Sequence, residues 1–202
     1  MSRALMRGMA AAIAGVAIVS GSLPTLAQSA PTLLDYAAAA FTAGLAANEA
    51  LLHATGRADR RTAQSELSKS IWTLTRIGAR PANNEGDDIL AEWQASLPPS
   101  TATPLRGRGL GPGYHRARLG PAQIYRQQQV FLGGELARVV VAPGPHSSLV
   151  LEVSDRNGAP VCRTRVQTNP GGCSWTPIFT SRHTLAVTGE KEVASHFVIL
   201  TN

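Results

Sequence analysis

The sequence predicts an α+β fold, with a small helical bundle or αα-hairpin first and an antiparallel β-sandwich or barrel after it. Three observations lead there. As far as Leu97, apolar residues recur every three to four positions, the period of a helix face. From Ala122 onward they recur at every second position in short runs, the period of a strand. Between Leu97 and Pro121 neither period holds, and five Pro and five Gly crowd the segment. A chain of 202 residues has room for one domain or two small ones.

Residues 1–27 read as a secretory signal peptide. Arg3 and Arg7 open it, Met9 to Val19 form an uncharged apolar core, and Gly21, Ser22 and Pro24 break that core before Thr25-Leu26-Ala27. The core is shorter than the roughly 20 residues that span a bilayer, and no later run is long enough to do so. Cleavage is expected after Ala27, since a cut after Ala30 would leave Pro31 first. No Cys lies near the cut to carry a lipid, and no Arg pair marks a twin-arginine route. The expected location is periplasmic or secreted.

Residues 28–97 read as helical. Pro31 suits a first helical position, and Leu34, Ala38, Phe41, Leu45 and Leu52 follow on one face as far as the stop at Gly56. Asp59 can cap a second helix, in which Leu67, Ile71, Leu74 and Gly78 share a face and Pro81 ends the run. Asp87 and Asp88 suit the positive end of a short third helix carrying Leu90, Trp93 and Leu97. Trp72 and Trp93 are expected in the core, and His53 near a helix end.

Residues 98–121 read as a Pro/Gly/Arg-rich linker. It carries Arg106, Arg108, Arg116 and Arg118 with Tyr114 and His115, so these arginines and Tyr114 are the candidate anion-binding set. The charge is uneven along the chain. Gln28 to Leu97 holds six basic and eight acidic residues, whereas Pro98 to Asn202 holds eleven basic and five acidic. An exported protein seldom meets nucleic acid, so anionic glycans or lipid headgroups are the better anionic partners.

Residues 122–202 read as the β domain. QQQVFLGG, ELARVVVAP, SSLVLEVSD, APVCRTRVQT, HTLAVTG and SHFVILTN are short β-rich runs parted by Gly, Pro, Asn and Asp. Asp155-Arg156-Asn157-Gly158 has the residues of a hairpin turn, and Gly189-Glu190-Lys191 is a second turn. Four stretches here carry a family likeness: FLGGELARVVVAP, SSLVLEVSDRNGAPV, TPIFTSRHTLAVTG and ASHFVIL. Over about residues 123–202 the chain resembles the bacterial pre-peptidase C-terminal domain, which implies a jelly-roll-like β-sandwich. The resemblance implies an accessory module for binding, solubility or secretion, and no catalysis. Where some members place acidic calcium ligands, this chain has His146, Ser147 and Ser148. His183 stands where the late strand usually has an aromatic. The helical half resembles no family.

The chemistry-bearing residues point away from an enzyme. There is no G-x-S-x-G elbow and no H-E-x-x-H helix. The glycines of RGRGLGPG are interrupted by Pro and precede no helix, so they make no phosphate loop. Asp87 and Asp88 are neighbours and face different ways on a helix. No catalytic residue and no cofactor is expected. A hairpin near Gly189 would set His183 opposite His196, a weak candidate metal pair, although a closed zinc site takes four ligands. Cys162 and Cys173 lack the C-x-x-C spacing of redox or zinc chemistry. In an exported chain two cysteines pair, and Asn169 to Gly172 provides the turn between them. The whole reads as a non-enzymatic envelope or secreted protein that binds another macromolecule, an unknown protein or an envelope polymer. The alternative is a glycan or anionic-polymer binder using the linker arginines.

Overall fold

The computed structural model describes residues 31–82, 88–99, 111–121, 123–189 and 194–202. The expected signal segment 1–27, Asp87, Arg106, Arg108, and Glu190 and Lys191 of the expected second turn lie outside the described residues. Residues Pro31–Asn202 form one compact unit that contains two apolar cores.

Helices α1 (Leu33–His53) and α2 (Arg57–Arg76) form an αα-hairpin, and the short α3 (Ile89–Ala95) packs beside α2. Thr32 precedes α1; its backbone N–H donates to Asp35 Oδ2 at 2.7 Å, half of a capping box. Gly78, at φ 72°, ends α2. The Gly78 N–H donates to the Thr75 carbonyl and the Ala79 N–H to the Leu74 carbonyl, the paired bonds of a Schellman motif. Asp88 caps α3 by accepting from the N–H groups of Leu90 and Ala91. Leu34, Ala38, Phe41, Leu45, Leu67, Ile71, Leu74, Leu90 and Trp93 are buried as expected.

Two helical positions depart from expectation. Trp72 is 61% exposed and Leu52 is 76% exposed. Trp72 sits one residue past Ile71, about 100° around the helix from the buried stripe. Its ring is covered by the Arg76 guanidinium, 5.0 Å from the ring centroid and one turn on.

The described residues form nine strands: β1 (Arg80–Pro81), between α2 and α3, and then β2 (Gly113–Leu119), β3 (Ile124–Phe131), β4 (Ala137–Pro143), β5 (Leu149–Ser154), β6 (Pro160–Val166), β7 (Gly171–Trp175), β8 (Ser181–Gly189) and β9 (Ser195–Thr201). One sheet has the order β1-β2-β9-β4-β7 and the other β3-β8-β5-β6. Apart from the parallel β1–β2 pair, every pairing is antiparallel. Strands β2 to β9 run in jelly-roll order, two facing four-stranded sheets. The class is α+β.

The first jelly-roll strand lies where the linker was expected. Gly113–Leu119 pairs with β9 at all seven positions. Its alternation is short and is flanked by Gly113 and Gly120, which hide it in a Pro/Gly-rich stretch. β2 thus joins the supposed linker to the middle of the sheet.

The molecule has three layers: helices, the β2-containing sheet, and the β3-containing sheet. Tyr114, Val140, Ala142, Val198 and Leu200 face the helices, while Ala117, Leu119, Val139, Val141, Phe197 and Ile199 face the second sheet. Strands β4 and β9 are therefore buried on both faces and read as continuous apolar runs, ARVVVAP and SHFVILT. β3 and β6 keep one face in water and alternate. Gly44 faces Trp93 inside the helical layer, where a Cβ would lie 2.3 Å from the indole ring.

Candidate functional site

The cysteines frame the sandwich. Cys162 on β6 and Cys173 on β7 form a disulfide with Cα atoms 6.0 Å apart. β6 is the edge of one sheet and β7 the edge of the other. The bond therefore staples sheet to sheet along the open side, rather than merely closing a loop.

Of the linker set, Tyr114, Arg116 and Arg118 are among the described residues, and Tyr114 is core rather than surface. Tyr114 is 1% exposed, with its ring 4.8 Å from that of Phe41 and its hydroxyl donating to Asp88 Oδ1 at 2.7 Å. Burial, reinforced by Asp88, holds that hydroxyl far above the usual phenol range. Alternation along β2 explains the correction: Tyr114 points at the helices and becomes core. Arg116 leans the same way and pairs with Glu92 of α3. Arg118 is exposed.

The histidine pair is also corrected. His183 is on β8 and His196 on β9, in different sheets, because each strand crosses from one sheet to the other instead of turning back on its neighbour. His183 is buried, with Nε2 3.3 Å from Trp175 Nε1–H and Nδ1 3.2 Å from the Ser181 carbonyl. Both ring nitrogens therefore have partners within the protein. His196 faces the helical layer. Burial, then Arg118 and Arg116, lower its pKa, against Glu49 and Glu92. His115 is lowered by burial. His146 lies exposed in the β4–β5 connection at φ 58°, followed by buried Ser147 and Ser148.

A cleft of about 300 Å³ lies beside Asp35, Arg138 and the Gly171-Gly172 backbone. Its charged groups are already engaged. Arg138 Nη2 donates to Asp35 Oδ1 at 3.0 Å. Burial works against the Asp35 carboxylate, but the bonds from Thr32 and the Arg138 charge prevail and hold its pKa below the usual range. This pair ties the start of α1 to β4.

The group best placed to meet a partner is one that sequence patterning passed over. The β3–β4 connection carries Leu132 and Leu136, 54% and 56% exposed, and the β7–β8 connection carries Ile178 and Phe179, 84% and 77% exposed. The two loops are pinned together. The Gly134 N–H donates to the Pro177 carbonyl at 2.7 Å, and the Gly133 N–H to Thr180 Oγ1 at 3.0 Å. A Cβ on Gly133 would lie 2.8 Å from Phe179 Cα, so only glycine lets the loops approach this closely. Asn202 adds a brace: its Nδ2 donates to the Leu136 carbonyl and its Oδ1 accepts from the Arg138 N–H. Beneath the loops Phe131 and Trp175 meet edge to face, centroids 4.8 Å apart, with His183 against both. The sequence did hold a signal: Ile178-Phe179 sits between Pro177 and Thr180, and a leucine stands on each side of Gly133-Gly134. Leu132 and Leu136 fall within runs that read as strands, and Ile178-Phe179 falls in none of the six runs.

No family model matches the chain, and no curated protein matches it. Several solved structures share part of the architecture. The pre-peptidase C-terminal domain of collagenase from Bacillus anthracis is 7% identical with a TM-score of 0.37, over 45% of this chain and 89% of that one. The Yersinia pseudotuberculosis-derived mitogen is 8% identical with a TM-score of 0.36, over 46% and 85%. A periplasmic inhibitor of g-type lysozyme from Aeromonas hydrophila is 10% identical with a TM-score of 0.34, over 45% and 84%.

Proposed function

We propose that this protein is an exported, non-enzymatic binding module of the cell envelope, and that it engages a macromolecular partner through the loop tip at Leu132, Leu136, Ile178 and Phe179. One observation carries the reading: four large apolar side chains stand in water on two loops that are hydrogen-bonded into fixed positions. Contiguous exposed apolar surface on a rigid support marks an interaction site. The disulfide and the apolar segment at 9–19 support export. Three of the described acid and base groups support a non-catalytic role through what they already hold. Asp35 is engaged with Arg138, Asp88 with α3 and Tyr114, and His183 with Trp175. The reading keeps the sandwich as an accessory module of the pre-peptidase C-terminal kind.

The test is affinity capture from the cell envelope with the wild-type protein and the Ile178→Ser/Phe179→Ser variant. The wild type should retain a partner that the variant loses. An identical set of captured proteins and lipids with both would sink the proposal.

A second reading, an anionic-polymer binder, moves from the linker to the sheet. The outer face of the β3-containing sheet presents Arg126, Arg163, Arg165 and Arg182 around Glu152. Binding that collapses with added salt, yet ignores the tip variant, favours this reading.

A further inference from the structure

We infer that the partner of the loop tip is the surface of an anionic lipid bilayer, with the tip seated at headgroup level and Arg182 beside it against the lipid phosphates. This rests on the tip being the contact surface.

Ile178 and Phe179, 84% and 77% exposed, protrude rather than line a groove. A protruding group gains little from a flat, rigid partner, whereas a bilayer closes around it. Leu132, Leu136, Ile178 and Phe179 have no polar side-chain atom, so their gain on insertion is burial alone.

Part of the loop backbone is hydrogen-bonded within the tip. The Gly133 and Gly134 N–H groups have partners within the tip, the Pro177 carbonyl accepts one of those bonds, and the Leu136 carbonyl accepts from Asn202. Pro177 has no N–H to satisfy. Apolar surroundings would leave none of these groups stranded.

Charge supplies the complement. Arg182 is the cross-strand partner of Val130, itself 52% exposed, where the tip meets the outer sheet face. Arg126, Arg163 and Arg165 stand on the same face farther from the tip, level with Ala186 and Thr188. Each such charge near an anionic leaflet contributes attraction. Glu135, exposed in the tip loop, opposes it and limits insertion to the interface.

The experiment is sedimentation of residues 28–202, which hold every described element and both cores, with phosphatidylcholine vesicles lacking or containing about a third phosphatidylglycerol. The protein should bind the anionic vesicles. Ile178→Ser/Phe179→Ser should weaken binding roughly a hundredfold, about tenfold per side chain. Arg182→Gln should weaken it about fivefold, and Glu135→Gln should strengthen it by a similar factor. Phe179→Trp should keep binding and shift its emission to the blue on anionic vesicles, which guards against loss through misfolding. Absence of wild-type binding to anionic vesicles overturns the inference. So does binding that survives the tip substitutions and falls only with the arginines, the behaviour of an anionic-polymer binder. If vesicles are ignored but an envelope protein is captured in a tip-dependent way, the lipid assignment fails and the binding tip stands. If the tip substitutions change neither, both fail.

Discussion

Gly44 lies in the middle of α1, where alanine is the better helix former by about 1 kcal/mol. Trp93, 49 positions away in sequence, reverses that preference, because its ring occupies the space a Cβ would take. Gly44→Ala should therefore destabilise the protein by about 1–3 kcal/mol, read from urea unfolding; a stabilised variant would mean that Trp93 yields freely. His115 and His196 make a second residue-scale prediction. Both are held below the ordinary histidine value of 6.5. As pH falls through that value, the unfolded chain takes up these protons before the folded one does. Stability should thus be full above it and decline below it. Unfolding measured from about pH 7.5 to about pH 5 should show this slope, and His196→Gln should flatten it. An unchanged slope would remove His196 as a source. Trp93 and Tyr114 show where sequence reading succeeds and where it fails at this scale. Trp93 shares the helical period of Leu90 and Leu97, so its burial was legible. Tyr114 sits among Pro, Gly and Arg, and only pairing with a strand over 80 residues away makes it core.

Among the elements, α1 and the β4, β5, β6, β8 and β9 strands were legible because local period and long-range burial agree there. β2 was not, since its seven residues become a strand only by pairing with β9. Helical cover over one sheet did leave a trace. ARVVVAP and SHFVILT are apolar at consecutive positions, as in strands buried on both faces. The tip loops were missed for the opposite reason: exposed Leu, Ile and Phe beside strand runs imitate strand residues until the turn geometry sets them outside. The disulfide carries an element-scale prediction. Because it joins the edge strands of the two sheets, Cys162→Ser/Cys173→Ser should cost about 2–4 kcal/mol. Hydrogen exchange should then rise in β6 and β7 before it rises in β9. Uniform exchange across both sheets would contradict a local staple.

At the scale of the whole molecule, the three layers make the sandwich dependent on what precedes it. A fragment covering residues 122–202 would lack β2 and would expose Val140, Ala142, Val198 and Leu200, which face the helices in the intact chain. That fragment should fail to give a dispersed amide spectrum, while residues 28–202 should give one. A well-folded fragment would return the helices to the status of a separate domain. The layers also leave few places to meet a partner. Helices cover one sheet, and the disulfide closes the open side. The far sheet presents arginines, and one end presents the apolar tip.

Photo-crosslinking in the intact envelope tests the binding tip most directly, with a photoreactive residue at position 179 and, as a control, at position 72 on the exposed face of α2. Discrete adducts from position 179 and none from position 72 are expected. Adducts from position 72, or from neither position, would contradict a partner held at the loop tip.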